Sequence, residues 1–206
     1  MGRLFAYAVK RAIDLIGALI GLFLCLPLFF VLGVALKCEG GSVFFAHYRV
    51  GRRGRLFPCY KLRTMLPDAQ QRLDALLANN ADARAEWARD FKLRNDPRIT
   101  RLGHFLRRTS LDELPQLWNV LTGDMSLVGP RPVVEDELQR YGKHAPDYLA
   151  VRPGITGLWQ VSGRNNTSYE ARVALDARYV REWSLWLDCV ILLRTVEVVL
   201  TRRGAY

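Results

Sequence analysis

The sequence is poor in everything that builds a thiolate or imidazole metal centre. Four cysteines (Cys25, Cys38, Cys59 and Cys189) and three histidines are spread along 206 residues, with no C-x-x-C pair and no histidine cluster. That spacing speaks against a zinc site. Glycine and proline (16 and 9 residues) follow no period, which excludes collagen-like and low-complexity chains. Nothing repeats at the roughly 20–50-residue spacing of solenoids. Acidic residues are the scarcer charge: 20 Asp and Glu face 30 Lys and Arg, for a formal charge of +10. Such an excess points to anionic partners: nucleic acid, anionic lipid or phosphorylated small molecules. No recognisable nucleic-acid-binding motif is present, which counts against the first. Half of the residues are apolar and 24% are charged, so the chain is not disordered. Its length fits one domain with an appendage.

What is present comes first at the N-terminus. Leu15–Leu36 is a run of 22 residues without a charge, roughly 33 Å as a straight helix and long enough to cross a bilayer. A signal peptide would have a shorter apolar region and a small-residue cleavage site, whereas Lys37-Cys38-Glu39 follows here. Cations stand at both ends: Arg3, Lys10 and Arg11 before, and Lys37, Arg49, Arg52, Arg53 and Arg55 after. The positive-inside rule holds both ends in the cytosol. Pro27 removes a bond to the Phe23 carbonyl near the middle. A re-entrant helix that bends at Pro27 satisfies both facts; a single span is the alternative. Asp14, costly in hydrocarbon, is expected at the interface, paired with Lys10 or Arg11.

Ser42–Val50 and Leu56–Thr64 read as strands joined by the turn Gly51-Arg52-Arg53-Gly54, a β-hairpin. Leu73, Leu76 and Leu77 mark a helix. Asp82 is placed to cap a second one carrying Ala83, Trp87 and Phe91. Asn95-Asp96-Pro97 is a turn. Ile99, Leu102, Phe105 and Leu106 then form an apolar stripe, with Arg98, Arg101, Arg107 and Arg108 on other faces. Such a helix suits an anionic lipid surface. Asp176–Glu182 reads as helix, and Trp183–Leu200 as a partly amphipathic one.

Two stretches carry candidate chemistry. In Arg107–Gln116, Ser110 and Glu113 have capping-box spacing, but Pro115 disturbs a simple helix start. The alternative is a pair of working carboxylates: Asp112, held ionised by the helix dipole and by Arg107 or Arg108, as nucleophile, and Glu113 as an oxygen ligand for Mg²⁺. In Gly123–Pro132, Arg131 lies between two prolines, a stiff mount suited to bidentate phosphate recognition. Lys61-Leu62-Arg63-Thr64-Met65 is a third basic cluster, at the end of the second strand.

Together these pieces resemble the monotopic polyprenyl-phosphate phosphoglycosyl transferases, the bacterial sugar transferase family. The likeness lies in Lys61–Met65, Asn95–Thr100, Thr109–Leu117, Asp124–Pro132 and Arg152–Val161, in order along nearly the whole chain. It implies transfer of a sugar-1-phosphate from a UDP-sugar to polyprenyl phosphate, with release of UMP. It assigns Asp112 as the nucleophile that becomes covalently phosphorylated, and Glu113 as Mg²⁺ ligand. Lys61, Arg63, Arg131, Arg152 and Arg164 become phosphate-binding residues, and Pro27 the break of a re-entrant membrane helix. Many members have Ser before that proline; here Leu26 stands there, so the bend rests on Pro27. The likeness is to the catalytic core alone, without the extra N-terminal spans and domain of larger relatives.

The expected fold is therefore α+β and mostly helical. Residues 1–40 form the membrane helix. Residues 41–206 form a small catalytic domain with a β-hairpin and several interfacial amphipathic helices, on the cytosolic face of a bacterial inner membrane. Expected partners are a UDP-sugar, polyprenyl phosphate and anionic lipid, with no nucleic acid and a homo-oligomer left open. The insert around Leu73–Phe91 leans toward a hexose without an acetamido group. The competing reading is a non-enzymatic, membrane-anchored basic adaptor in which Asp112 and Glu113 only cap a helix.

Overall fold

A computed structural model describes residues 2–90, 93, 95–163 and 168–201. Helix α1 (Gly2–Cys38) is followed by strands β1 (Phe44–Val50) and β2 (Leu56–Leu62), then helices α2 (Ala69–Asn79), α3 (Ala81–Asp90) and α4 (Arg101–Thr109). After a 3₁₀ turn (Leu111–Glu113) come α5 (Gln116–Thr122), β3 (Ser126–Val128), α6 (Glu135–Gln139), α7 (Ala145–Ala150) and β4 (Gly154–Thr156). Helices α8 (Leu158–Ser162), α9 (Tyr169–Arg181) and α10 (Leu185–Thr201) complete the described chain. The molecule is mostly helical, with two small two-stranded sheets.

Helix α1 is long and apolar enough to cross a membrane. It is helical through Pro27, without a break in the element. One face packs on the rest of the chain along most of its length. Near the start, Tyr7 stacks on Trp183 (4.4 Å between centroids), and Lys10 Nζ pairs with Asp188 Oδ2 at 2.8 Å. Arg11 donates to the carbonyls of Val120 and Leu121. Midway, the small residues Gly17 and Gly21 let Leu127 and Leu117 come close, and Ala18 joins the core of Phe57, Cys59, Leu117, Val120 and Met125. Near the end, Leu32 and Leu36 pack on Leu62 and Leu106. The opposite face exposes Leu19, Ile20, Phe23, Leu24, Phe30, Val31 and Val34.

Asp14 corrects the sequence expectation. It is buried, and its carboxylate accepts from Ser126 Oγ (2.8 and 3.0 Å) and from the Leu127 backbone N–H (2.9 Å). Lys10 and Arg11 go elsewhere, because β3 supplies the donors that a buried carboxylate needs.

The hairpin forms as expected, in the antiparallel register Phe44↔Leu62 to Val50↔Leu56. The second edge of β2 is closed by a side chain: Asn119 Oδ1 accepts from Tyr60 N at 3.0 Å and its Nδ2 donates to Pro58 O at 2.8 Å. This amide replaces a missing strand and satisfies buried backbone groups. It also fixes α5 against the strand that carries Lys61.

Three helix starts differ from the sequence reading. Asn80 rather than Asp82 caps α3, accepting from Ala83 N at 2.9 Å. Helix α4 is capped by Thr100, which leaves Arg98 outside it, buried in a bidentate pair with Asp96 (2.7 and 2.6 Å). Ser168 caps α9, well before Asp176. Phe91 lies outside the described residues. Helix α10 exposes Trp186, Leu193, Val196 and Leu200 on one face while burying Asp188 and Ile191.

The parallel pairing of β3 with β4 (Ser126↔Gly154, Val128↔Thr156) has no counterpart in the sequence reading. It locks the Pro130-Arg131-Pro132 segment onto β4, with Gly154 N donating to Pro130 O at 2.7 Å. A side chain at Gly129 would collide with the Arg152 and Gly154 backbone, so the close approach needs glycine.

Candidate active site

The site is built where α4 ends and α5 begins. Ser110 closes α4 in the left-handed region (φ 59°, ψ 16°) and makes no side-chain cap on the following turn. The capping box suggested by the Ser110–Glu113 spacing is therefore absent. Pro115 stands at the start of α5, where its missing N–H costs nothing. The intervening turn projects Asp112, 7% exposed, and the half-buried Glu113.

Lys61 Nζ, from the end of β2, lies 2.7 Å from Glu113 Oε1 and 3.9 Å from Asp112 Oδ2. Arg131 Nη1 lies 3.5 Å from the same Glu113 oxygen. Arg107, steadied by a 2.9 Å bond from its Nε to Thr64 Oγ1, adds positive charge near Asp112. Asp112 nevertheless holds its proton more tightly than an ordinary carboxyl. Burial is the largest cause, and the Glu113 charge reinforces it, against Lys61, Arg107 and Arg131. Against the helix dipole and Arg107 or Arg108, from which the sequence reading expects an ionised group, burial acts in the opposite direction.

Of the other proposed phosphate ligands, Arg131 reaches the carboxylate pair and two do not. Arg63 is buried, and its guanidinium bonds Leu36 O at 2.8 Å and also Gly40 O. It ties the end of α1 to β2. Arg152 donates from Nε to Gly123 O at 2.7 Å and lies among Arg11, Arg52, Asp14 and Asp124. Arg164 lies outside the described residues. Sequence reasoning missed Arg49. It lies on β1, is largely removed from water, pairs with Glu137 at 3.4 Å and is repelled by Arg131. Strand alternation gives no signal for it. The bridge Val50↔Val133 joins β1 to the chain just past Arg131.

Two neighbouring carboxylates beside Lys61, Arg107 and Arg131 suit an anionic substrate and a carboxylate nucleophile. Among the described residues no three His, Cys, Asp or Glu side chains gather as a cation cage. The donor set fits Mg²⁺, which is held by one or two carboxylates together with substrate phosphates.

A family model described as bacterial sugar transferase matches residues 5–202. The undecaprenyl-phosphate galactose phosphotransferase of Salmonella typhimurium is 55% identical over 198 residues, 96% of this chain and 42% of that protein. The exopolysaccharide production protein ExoY of Rhizobium meliloti is 50% identical over 198 residues, covering 96% of this chain and 88% of ExoY. The UDP-glucose:undecaprenyl-phosphate glucose-1-phosphate transferase of Caulobacter vibrioides is 40% identical, covering 96% and 72%. The chain spans less than half the length of several curated relatives that it matches, the Salmonella protein among them.

Proposed function

Because the chain belongs to the bacterial sugar transferase family, we propose that it moves a sugar-1-phosphate from a UDP-sugar to undecaprenyl phosphate, as a membrane step of polysaccharide or glycoconjugate synthesis. The observation that carries this reading is the buried Asp112 beside Glu113, under Lys61 and Arg131. An Asp112 oxygen attacks the sugar-bearing phosphorus. The bond from that phosphorus to the bridging oxygen breaks, and UMP leaves with the oxygen. An oxygen of undecaprenyl phosphate then attacks the same phosphorus and frees Asp112. Splitting the transfer in two lets one nucleophile serve two anionic substrates in turn. Lys61, Arg107 and Arg131 offset charge as UMP departs. Glu113 would hold Mg²⁺, which neutralises diphosphate charge when bound.

Membrane attachment is part of the same reading. A straight span would carry one end of α1 away from the catalytic domain, yet Lys10 and Asp14 near one end and Leu32 and Leu36 near the other both meet it. That supports a monotopic, re-entrant α1 (residues 1–40) with residues 41–206 on the cytosolic face of the inner membrane. The apolar faces of α1 and α10 would meet lipid, and the basic surface its anionic headgroups. Relatives named for galactose and for glucose make UDP-hexoses the first donors to screen.

The test is UMP release from UDP-galactose and UDP-glucose with undecaprenyl phosphate, with and without Mg²⁺. Mg²⁺-dependent release is expected. Its absence across a panel of UDP-sugars overturns the reading in favour of the adaptor.

A further inference from the structure

Beneath Arg131 lies a carboxyl that the proposed reaction does not use. Asp176, on α9, is 2% exposed. Its Oδ2 accepts from the Tyr141 hydroxyl at 2.8 Å. Its Oδ1 is buried without a hydrogen-bond partner. Buried polar atoms are nearly always paired, so an orphan oxygen here calls for a reason.

The groups facing it are few. Tyr141 comes from the turn after α6, Tyr148 from α7 and Tyr169 from the start of α9; all three phenols hold their protons more tightly, first through burial, with the Asp176 charge contributing. The positive charge comes from Arg131, and the Arg131 backbone N–H also faces the carboxyl. The tyrosines pack together (Tyr141 to Tyr148, 5.2 Å; Tyr141 to Tyr169, 6.4 Å). Tyr148 is itself fixed, donating to Val50 O at 2.6 Å and accepting from Val133 N at 3.2 Å. The carboxyl is thus anchored to the two strands of chain that carry Arg49 and Arg131.

We propose that Asp176 is a positioning residue for Arg131: Tyr141 pins one oxygen, the carboxyl faces the Arg131 backbone N–H, and the pair sets the direction in which the guanidinium reaches Glu113 and a substrate phosphate. The inference rests on the function proposed above, since only an anionic substrate gives that direction a consequence. Burial lifts the Asp176 carboxyl to about 7. Near neutrality it changes charge, and its ionised form holds the Arg131 N–H and charge better than its neutral form. The grip on the nucleotide sugar then weakens as pH falls through this range.

Asp176→Asn keeps the shape and removes the titration. The full chain is assayed for kcat and KM on either side of pH 7, with UDP binding measured separately by calorimetry. The wild type is expected to show a KM for the UDP-sugar that rises as pH drops below about 7. The variant should show a KM raised about tenfold, without that step, and a kcat changed far less. Tyr141→Phe removes a bond that favours the ionised carboxyl, so its step should move to higher pH. A merely structural role predicts neither result. Asp176→Asn with the wild-type KM and pH profile overturns the inference, as does activity lost only in proportion to folded protein. A wild type that neither binds UDP nor releases UMP overturns the proposed function itself, and this inference with it.

Discussion

Lys61 sits closer to Glu113 than to Asp112: its Nζ is 2.7 Å from the Glu113 carboxylate and 3.9 Å from that of Asp112. The cation thus pairs most tightly with the proposed metal ligand and more loosely with the proposed nucleophile. Asp112→Asn is expected to abolish turnover in a protein that still folds, because an amide cannot attack phosphorus. Intact-mass measurement after incubation with UDP-sugar alone should show a sugar-phosphate adduct on the wild type and none on the variant. Near-normal turnover in the variant would remove Asp112 from the chemistry. Glu113→Gln should be comparably impaired and should answer differently to added Mg²⁺.

Two arginines separate binding from architecture. Arg131 points at the carboxylate pair, whereas Arg63 holds the end of α1. Arg131→Met should raise the KM for the UDP-sugar about tenfold with little change in melting temperature. Arg63→Met should leave KM near the wild-type value and cost about 2 kcal/mol of stability, the worth of charge-assisted bonds to buried carbonyls. Steady-state kinetics and thermal unfolding in detergent check both.

Asp14 should behave as a docking residue. Asp14→Leu leaves the Leu127 N–H without its acceptor and Ser126 Oγ with the Val128 carbonyl alone. A loss of about 2–3 kcal/mol is expected, the usual cost of unmaking hydrogen bonds to a buried charge. Asp14→Asn, which keeps one acceptor oxygen, should lose less. Equal melting temperatures for all three proteins would contradict this role.

The placement of α1 can be read by thiol labelling. In a background without the four native cysteines, Gly2→Cys should resist an impermeant reagent in intact cells and react once the membrane is opened. Labelling in intact cells would mean that α1 spans. Replacing Pro27 with Leu restores the missing backbone bond and should shift the population toward labelling. If it does not, the proline is not what turns the helix.

Asp176 also predicts how stability follows pH. Its carboxyl titrates at about 7 in the fold, against an ordinary value of 3.8. The folded state therefore binds the proton more tightly than the unfolded chain. This contribution is complete below pH 3.8 and is lost as pH rises to about 7, a decrease of about 4 kcal/mol. Asp176→Asn should flatten that slope in chemical unfolding measured across the window. A slope equal to that of the wild type would show that the carboxyl is not buried as described.

The hairpin was legible because Gly51 to Gly54 marks the turn and the flanking residues favour strands. Pro115 weakened the capping reading of Ser110 and Glu113, and the resemblance to the family singled out Asp112 and Glu113; their grouping with Lys61 and Arg131 came only with the fold. Asp14 was misread because its partners, Ser126 and Leu127, lie more than a hundred positions away. The same distance hid β3 and β4, three residues each, whose pairing is set by tertiary contact and not by local propensity. Arg63 looked like a phosphate ligand through its neighbour Lys61. Past the end of β2 it serves α1, and no periodicity could say so.

The two docking points on α1 make the helix a measure of rotation as well as of length. Gly17, Ala18 and Gly21 meet one part of the chain that follows, and Leu32 and Leu36 another. Each residue turns an α-helix by about 100°. One residue inserted or removed between Gly21 and Leu28 would thus swing the second contact far around the axis, even though composition and hydrophobicity hardly change. Leu111, next to Asp112, packs on that second contact. The phase of this long apolar helix thereby fixes where Asp112 stands, and the segment around Pro27 should be intolerant of changes in length where it tolerates changes in side chain.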